Sequence, residues 1–436
     1  MSVRWMHIEQ MMSDRWREHM LKETELLIPA GSLDVLKTAV NYGANAVYLG
    51  GEAFGLRANA KNFTLEEIRE GVAYAHAHQV KVFVTANIFA HNYDLDGVRT
   101  YFQELAETGI DAVLIADPGV FMIAKEVLPA SIELHISTQA NNTNWQTFLF
   151  WWQLGAKRVV CARELSLNEI RELRRHIPEE MDIEAFVHGA MCMSYSGRCM
   201  LSNFLTGRDA NRGACTHPCR WKYSLVEETR PGEYFPVVEN ERGTYIFNSK
   251  DLCMIEHIPE LIEAGIDSLK IEGRMKTALY VATVARTYRK AIDDYKESEE
   301  KYRANMEWYK QEIAKCTYRE FTTGFYYGRP TQDDHIYDSN TYVTGSIYLG
   351  TIRESDAEGW SYLEQKNKFS VGEQLEIMKP DGRDLPITVL EIRDAATDVA
   401  QTSCPHACQQ LKVRFSTAPE AGDIIRKESA EKQALD

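Results

Sequence analysis

One feature limits what this chain can fold into more than any other. A short β-branched run ending in a small or polar residue recurs eight times, and an amphipathic stretch separates each run from the next. The runs are Glu25 to Pro29, Ala46 to Leu49, Lys81 to Thr85, Ala112 to Ala116, Ile132 to Ile136, Arg158 to Cys161, Ile183 to Val187 and Ser268 to Ile271. Between them lie helical patterns. Thr64 with Glu67 forms a capping box ahead of Ile68, Val72 and Ala75, the start signal of an amphipathic helix. Strand and helix in alternation specify a parallel sheet, and eight units suit a closed (β/α)8 barrel of the TIM type. No GxGxxG follows the first run, which argues against an open dinucleotide-binding sheet. A helix from Thr277 to Tyr295 then completes the eighth unit.

The spacing breaks once. About 80 residues separate the seventh run from the eighth, an interval far above the usual loop length of α/β units. This insertion, residues 189–255, carries five of the nine cysteines: Cys192-x6-Cys199, Cys215-x3-Cys219 and Cys253. Loops that follow barrel strands lie on the face where barrel chemistry occurs, so the functional site is expected there. From about residue 318 the pattern changes to short alternating runs, at Tyr342 to Tyr348, Glu373 to Met378, Ile387 to Ile392 and Lys412 to Phe415, spaced by Gly and Asp-Gly turns. That reads as a small all-β barrel domain. The expected organisation is an N-terminal extension over 1–22, a barrel over 23–317 and a β-rich domain over 318–436.

Composition narrows the function classes. With 44% hydrophobic and 26% charged residues, the chain falls in the globular range, not the disordered one. The longest apolar runs stop well short of the roughly 18 to 20 residues that span a bilayer. Residues 1–22 mix Arg4, Asp14, Arg15 and Glu18 among apolar positions and have no continuous apolar region, so a cytoplasmic protein is expected. In an unexported chain, cysteines serve as metal ligands, reactive thiols or core residues more often than as disulfides. Cys161 and Cys316 read as core residues, and Cys404 with Cys408 could form a second knuckle. Four thiolates from one irregular loop suit either an iron–sulfur cluster or a structural zinc, and their spacing leaves both open.

The formal net charge of −15 argues against a general grip on nucleic-acid backbones. Locally the balance reverses. Arg198, Arg208, Arg212, Arg220 and Lys222 face a single acid, Asp209, and Trp221 and Tyr223 interleave with them. Arg208, Arg212, Arg220, Trp221 and Lys222 form the candidate RNA-binding set, since cations track phosphates and aromatic rings stack unpaired bases; a solvated loop with tucked aromatics is the plain alternative. Asn87, Gln139, Asn141, Arg163, Glu164, His188, Glu272, Arg274 and Lys276 fall at or just beyond strand ends, where side chains converge on a barrel mouth. Arg163, Glu164, His188 and Arg274 are the catalytic candidates. Arg163 and Arg274 could hold a dicarboxylate, or could be internally paired with Glu164 or Glu272.

The stretch from Glu184 to Ser202, with His188, Gly189, Cys192, Gly197, Arg198 and Cys199, resembles the signature of the collagenase-like peptidase family of unassigned catalytic type. Glu25 to Gly31, Gly43 to Gly50, Gly213 to Cys215, Asn248 to Leu252 and Ser268 to Arg274 resemble the same family. Within it the chain is most similar to the branch whose members hydroxylate tRNA, making 5-hydroxyuridine at the wobble position. That resemblance implies a [4Fe-4S] cluster on Cys192, Cys199 and Cys215, with Cys219 as fourth ligand and Cys253 as the spare. It also implies prephenate as co-substrate, the tRNA anticodon loop as partner, and a paired subunit of the same family in some relatives. Hydroxylating a ring carbon is redox chemistry that needs a cofactor. A peptidase would need an activated nucleophile, with Ser196 or Cys199 beside His188 as candidates, and neither HExxH nor GxSxG occurs. A third reading is a non-catalytic binding module stapled by zinc.

Overall fold

The computed structural model describes residues 23–55, 62–191, 199–208, 210, 213–218, 224–226, 234–236, 250–328, 330 and 343–429. The chain divides into two compact units. The first comprises Met1–Leu33, Asn45–Met275 and Glu320–Thr341; the second comprises Asp34–Ala44, Lys276–Arg319 and Tyr342–Asp436.

The first unit is built on β1 (Glu25–Pro29), β2 (Ala46–Gly50), β3 (Lys81–Ala86), β4 (Ala112–Ile115), β5 (Glu133–Ile136), β6 (Arg158–Val160), β7 (Asp182–Ala190), β8 (Asp251–Cys253), β9 (Ser268–Ile271) and β10 (Phe321–Thr322). Strands β1 to β7 pair in sequence, all parallel, and β9 pairs in parallel with both β7 and β1. The sheet therefore closes as the expected eight-stranded barrel. Its helices start where the chain supplies caps: Thr64 and Glu67 form the predicted capping box, Ser166 and Glu169 form another, and Asp117 precedes Pro118 at the first helical position.

The insertion is tied to the barrel by an element that the sequence pattern does not show. Strand β8 runs antiparallel to β7, with Cys253 opposite His188 and Leu252 opposite Gly189, and β10 adds to its other edge. β7 also runs to Ala190, three residues beyond its predicted end.

The second unit contains the helix Ala278–Glu297, capped by Thr277 and close to the expected span of Thr277 to Tyr295, and a closed antiparallel barrel. Its strands are β11 (Ser346–Ser355), β12 (Trp360–Glu364), β13 (Gln374–Met378), β14 (Asp384–Asp394), β15 (Gln410–Phe415) and β16 (Ile424–Glu428). The order is β13-β16-β11-β12-β15-β14, and a β13–β14 pairing closes the ring. Leu349, Ile377, Ile392, Val413 and Ile425 fill its core, and Cys404 is buried among them. Cys404 Sγ contacts the Phe369 main chain, while Cys408 is exposed. No described helix is long and apolar enough to cross a membrane.

Candidate active site at the barrel mouth

The barrel lumen is only partly apolar. Leu27, Ala46, Phe83, Ala112 and Leu114 pack together, but a column of charge passes beside them. At the N-terminal ends of the strands, Arg158 pairs with Glu25 and reaches Asp182 at 3.3 Å. One layer higher, Lys270 Nζ donates to Glu184 Oε1 at 2.6 Å, and Arg158 reaches the other carboxylate oxygen at 3.3 Å. Burial alone would push the Glu184 carboxyl up, but Lys270 and Arg158 outweigh it and hold the group below the usual carboxylate range. The Lys270 ammonium lies 4.3 Å from the Tyr48 ring centroid and 5.3 Å from that of Phe186, a favourable place for a desolvated cation. His135 is fully buried, and burial together with Arg158 lowers its pKa, which keeps its ring neutral. Arg158, Glu184 and Lys270 escaped the sequence reading, which took each as part of a strand. The available signal was a full charge inside runs whose neighbours are apolar on both faces.

Above this column stands Arg163. Its guanidinium stacks 3.8 Å from the Phe186 ring centroid, donates to the Ala190 carbonyl at 2.7 Å and pairs with Glu272 at 2.9 Å. Of the two partners considered, Glu272 is the one the fold supplies. Burial raises the pKa of the neighbouring Glu164 despite the attraction of Arg163. Arg274 is buried and donates to Thr85 Oγ1 at 3.1 Å. Two glycines make room for it: a Cβ at Gly50 would lie 2.0 Å from Arg274 Nη1, and one at Gly31 would lie 2.1 Å from its carbonyl oxygen. His188 lies inside β7, not in a loop; it is buried, and its carbonyl accepts the Glu272 N–H at 2.8 Å. The register of β7 on β9 slips between Lys270 and Ile271, an irregularity that re-aims the strand end. Gly189, at φ +108°, is required there because a Cβ would meet Glu272 O at 2.6 Å.

A second polar group lies at the same strand-end face, just after β3 and β5. Ser137 Oγ, just after β5, accepts from Asn87 Nδ2 at 3.3 Å and from the Gln139 N–H at 3.4 Å. Asn142 locks the turn by donating to Ser137 O and Val160 O while its own Oδ1 accepts from Trp151 Nε1. Asn141 takes a left-handed conformation and bonds back to Gln139 O, so its role is to shape the turn. Asn87 Oδ1, Gln139 Oε1 and Arg163 Nε are buried without a partner. Such orphans are costly in a folded protein and commonly await a ligand or ordered water.

The cysteine-bearing insertion is described in part. Cys199 and Cys215 are partly buried cysteines on either side of the short helix Leu201–Thr206. Ser202, fully buried, staples the two segments: its Oγ donates to Arg208 O at 2.8 Å, accepts the Thr216 N–H at 3.1 Å and contacts Thr216 Oγ1. His217, at φ +54°, turns its N–H onto Cys215 Sγ at 3.4 Å, a contact that favours a thiolate. Cys253 is partly buried on β8 beside the His188 strand. Cys192 and Cys219 lie outside the described residues, as do Ser196, Arg212, Arg220, Trp221 and Lys222. Among the described residues no group of three or more His, Cys, Asp or Glu side chains is poised to hold a metal. The donors that are visible, soft thiols with a main-chain N–H turned onto sulfur, have the chemistry an iron–sulfur cluster or zinc requires. Arg208 is exposed, and beside it the helix presents Phe204, 84% exposed, and Met200, apolar surface the sequence reading overlooked. Cys161 is buried and its thiol is pushed up to about 12, and Cys316 is buried, so both are core residues as expected. Lys276 belongs to the second unit, where its ammonium lies over the Tyr280 ring.

Comparison with known proteins agrees with this architecture. Residues 31–336 match peptidase family U32, and residues 345–426 match the peptidase family U32 C-terminal domain. The chain is 42% identical to tRNA hydroxylation protein P1 of Bacillus subtilis, over 93% of this chain and 95% of that protein. It is 39% identical to tRNA hydroxylation protein P of Escherichia coli, over 82% of this chain and 86% of that one. The 23S rRNA 5-hydroxycytidine C2501 synthase of Escherichia coli is 38% identical over 62% of this chain and 39% of its own length. With its barrel, its cysteine-bearing insertion and its C-terminal domain all accounted for, the chain belongs to peptidase family U32.

Proposed function

We propose that this protein hydroxylates a uridine of the tRNA anticodon loop, converting the wobble uridine to 5-hydroxyuridine with prephenate as co-substrate. The observation that carries this reading is the 42% identity to a tRNA hydroxylation protein across nearly the full length of both chains. The barrel mouth supports it, since Asn87, Gln139 and Arg163, at the strand ends where barrel enzymes bind substrate, each keep a buried polar atom without a partner. Cys192, Cys199 and Cys215 would hold a [4Fe-4S] cluster, which when bound supplies the one-electron chemistry that side chains lack. The fourth thiolate is Cys219, nearest along the chain to Cys215, or Cys253, which β8 anchors beside the barrel. Arg163 and Arg274 orient the carboxylates of the co-substrate, while Glu164 holds a proton at the rim. Arg208, with the basic and aromatic residues that follow it, grips the anticodon arm.

Of the residues the peptidase alternative would need, Ser196 lies outside the described residues and His188 is held inside a strand. The deciding experiment is incubation of the anaerobically purified protein with undermodified tRNA and prephenate, with dioxygen supplied as two-electron oxidant and oxygen source in one arm and withheld in the other, followed by nucleoside mass spectrometry. Uridine heavier by one oxygen is expected; cleavage of denatured collagen without any modified nucleoside would refute the reading. Iron, sulfide and zinc are quantified on the same protein and on each Cys→Ala variant. About four irons per chain are expected, lost in the variants of Cys192, Cys199 and Cys215 and in whichever of Cys219 and Cys253 is the fourth ligand. One zinc in place of iron would favour the stapled binding module.

A further inference from the structure

We infer that Phe204 and Met200 form the platform on which an unpaired base of the substrate RNA stacks; this rests on the proposed RNA-hydroxylating function. Both belong to the short helix between the Cys199 and Cys215 segments. The Phe204 N–H donates to the Met200 carbonyl at 2.9 Å, so the two residues stand one helical turn apart on the same face. That face is bare. Phe204 is 84% exposed, more than any other large apolar side chain among the described residues, and Met200 is 64% exposed. Ser202, two positions from each, falls on the opposite side of the helix, where it is fully buried and bonds to Arg208 O and the Thr216 N–H. The helix is thus fixed through its inner face while its outer face presents the ring.

A single exposed apolar side chain is ordinary on a protein surface, so the surroundings decide what meets this one. Gly207, at φ +70°, ends the helix in a left-handed turn, and the exposed Arg208 follows it directly. Between residues 198 and 222 the sequence holds five cations against one acid, in a chain of net charge −15. An apolar ring within a cationic segment is complementary to an aromatic base carried on a phosphate chain, because stacking and phosphate pairing then act together. A protein partner fits less well. A stable protein interface needs roughly 800 Å² from each side, and even an aromatic side chain buries only about 150–250 Å², so Phe204, Met200 and the 43% exposed Leu205 fall short of it. Stacking also needs a base that is out of a duplex, which an anticodon loop supplies. Every base has a stacking face, so this platform holds the loop beside the cysteine segments and leaves the choice of base to other contacts.

The test is fluorescence anisotropy of the anaerobically purified full-length protein with a labelled anticodon stem-loop and with the same stem as a blunt duplex, each over a series of salt concentrations. In Phe204→Ala the stem-loop is expected to bind about tenfold more weakly, by the same factor at every salt concentration, with duplex binding unchanged. Phe204→Trp, which keeps a stacking ring, is expected to bind the loop at least as tightly as the wild type. Arg208→Gln is the ionic control: loop and duplex should weaken together, and the slope of log affinity against log salt should fall by about 1. A Phe204→Ala protein that binds the loop like the wild type, or that loses loop and duplex alike, overturns the inference. Sedimentation velocity on the same proteins addresses the competing occupant. A wild-type dimer that dissociates in Phe204→Ala, with loop affinity kept, assigns the face to a second copy and also overturns it. Absence of stem-loop binding by the wild type overturns the functional reading as well, so the two failures are told apart.

Discussion

Replacing Lys270 by Met tests whether the charge column is a structural element of the barrel. Lys270 and Glu184 are 3% and 0% exposed, and their 2.6 Å contact is closed to solvent. Breaking a buried pair from one side typically costs about 3–5 kcal/mol, because the remaining charge is left without its partner. Here Glu184 would keep Arg158 at 3.3 Å, so its charge is not left wholly without a partner even though that guanidinium is shared with Glu25 and Asp182. The cost should therefore fall near the lower limit, about 3 kcal/mol. At about 2 °C per kcal/mol for a unit of this size, the thermal midpoint should drop by roughly 6 °C. Glu184→Leu alone should cost as much, and the double variant should cost clearly less than the sum, giving a coupling energy of about 2 kcal/mol in a double-mutant cycle. Differential scanning calorimetry with circular dichroism on all four proteins measures it. A Lys270→Met loss below about 1 kcal/mol, or strictly additive losses, would show that the pair is hydrated and refute the reasoning.

Three further outcomes follow from the same packing. In the second unit, Glu312 is clamped by Arg286 and Arg426 and lies at a pKa of about 2, its burial outweighed by the two guanidiniums. Its folded value is below its unfolded one, so its contribution is present above about pH 4.5 and vanishes as pH falls toward 2. Glu312→Gln should cost about 3 kcal/mol in urea unfolding at pH 7 and almost nothing near pH 2. Gly50→Ala places a methyl 2.0 Å from Arg274 Nη1 and forces that guanidinium off Thr85. Hydroxylation should fall at least about tenfold in the nucleoside assay while overpacking costs no more than about 3 kcal/mol. Ser202→Ala removes the staple between the Cys199 and Cys215 segments. Alkylation of Cys215 in metal-free protein, followed by mass spectrometry, should then be several-fold faster.

The eight barrel strands were legible because each is buried on both faces and reads as a β-branched run. Short elements were not. β8 has three residues and exists because β7 supplies a partner edge, and three residues carry no period. β12 and β16 were also missed: Trp360-Ser361-Tyr362-Leu363-Glu364 lacks clean alternation, and Ile424-Ile425-Arg426 places an arginine at 0% exposure in a strand. That arginine is buried because Glu312, Glu376 and Asp384 surround it, a circumstance set by residues far away in the chain. The mouth shows the same division. Arg163 and Arg274 could be placed at strand ends from spacing alone, but their partners depend on which loops the closed barrel brings together. Asn87 and Gln139 matter through atoms left unsatisfied, and satisfaction is a property of the whole neighbourhood.

The Arg163–Glu272 pair decides how an anionic co-substrate can bind. Arg163 is about nine-tenths buried against Phe186 and spends one face on the Ala190 carbonyl and the other on Glu272. A carboxylate arriving from solvent must displace Glu272 or share the guanidinium with it, and like charges in a desolvated mouth repel. If Arg163 is a substrate ligand, Glu272 is its resident competitor, and neutralising Glu272 should improve anion binding. Charge-assisted hydrogen bonds contribute about 1.5–3 kcal/mol, so Glu272→Gln should tighten prephenate binding roughly tenfold by isothermal titration calorimetry. Arg163→Gln should abolish the gain in the double variant. If Arg163 instead serves only to brace the end of β7, Glu272→Gln will loosen the rim, lower the thermal midpoint and leave prephenate affinity unchanged or weaker. That result would remove Arg163 from the substrate site and leave Arg274 as the remaining cation assigned to the co-substrate.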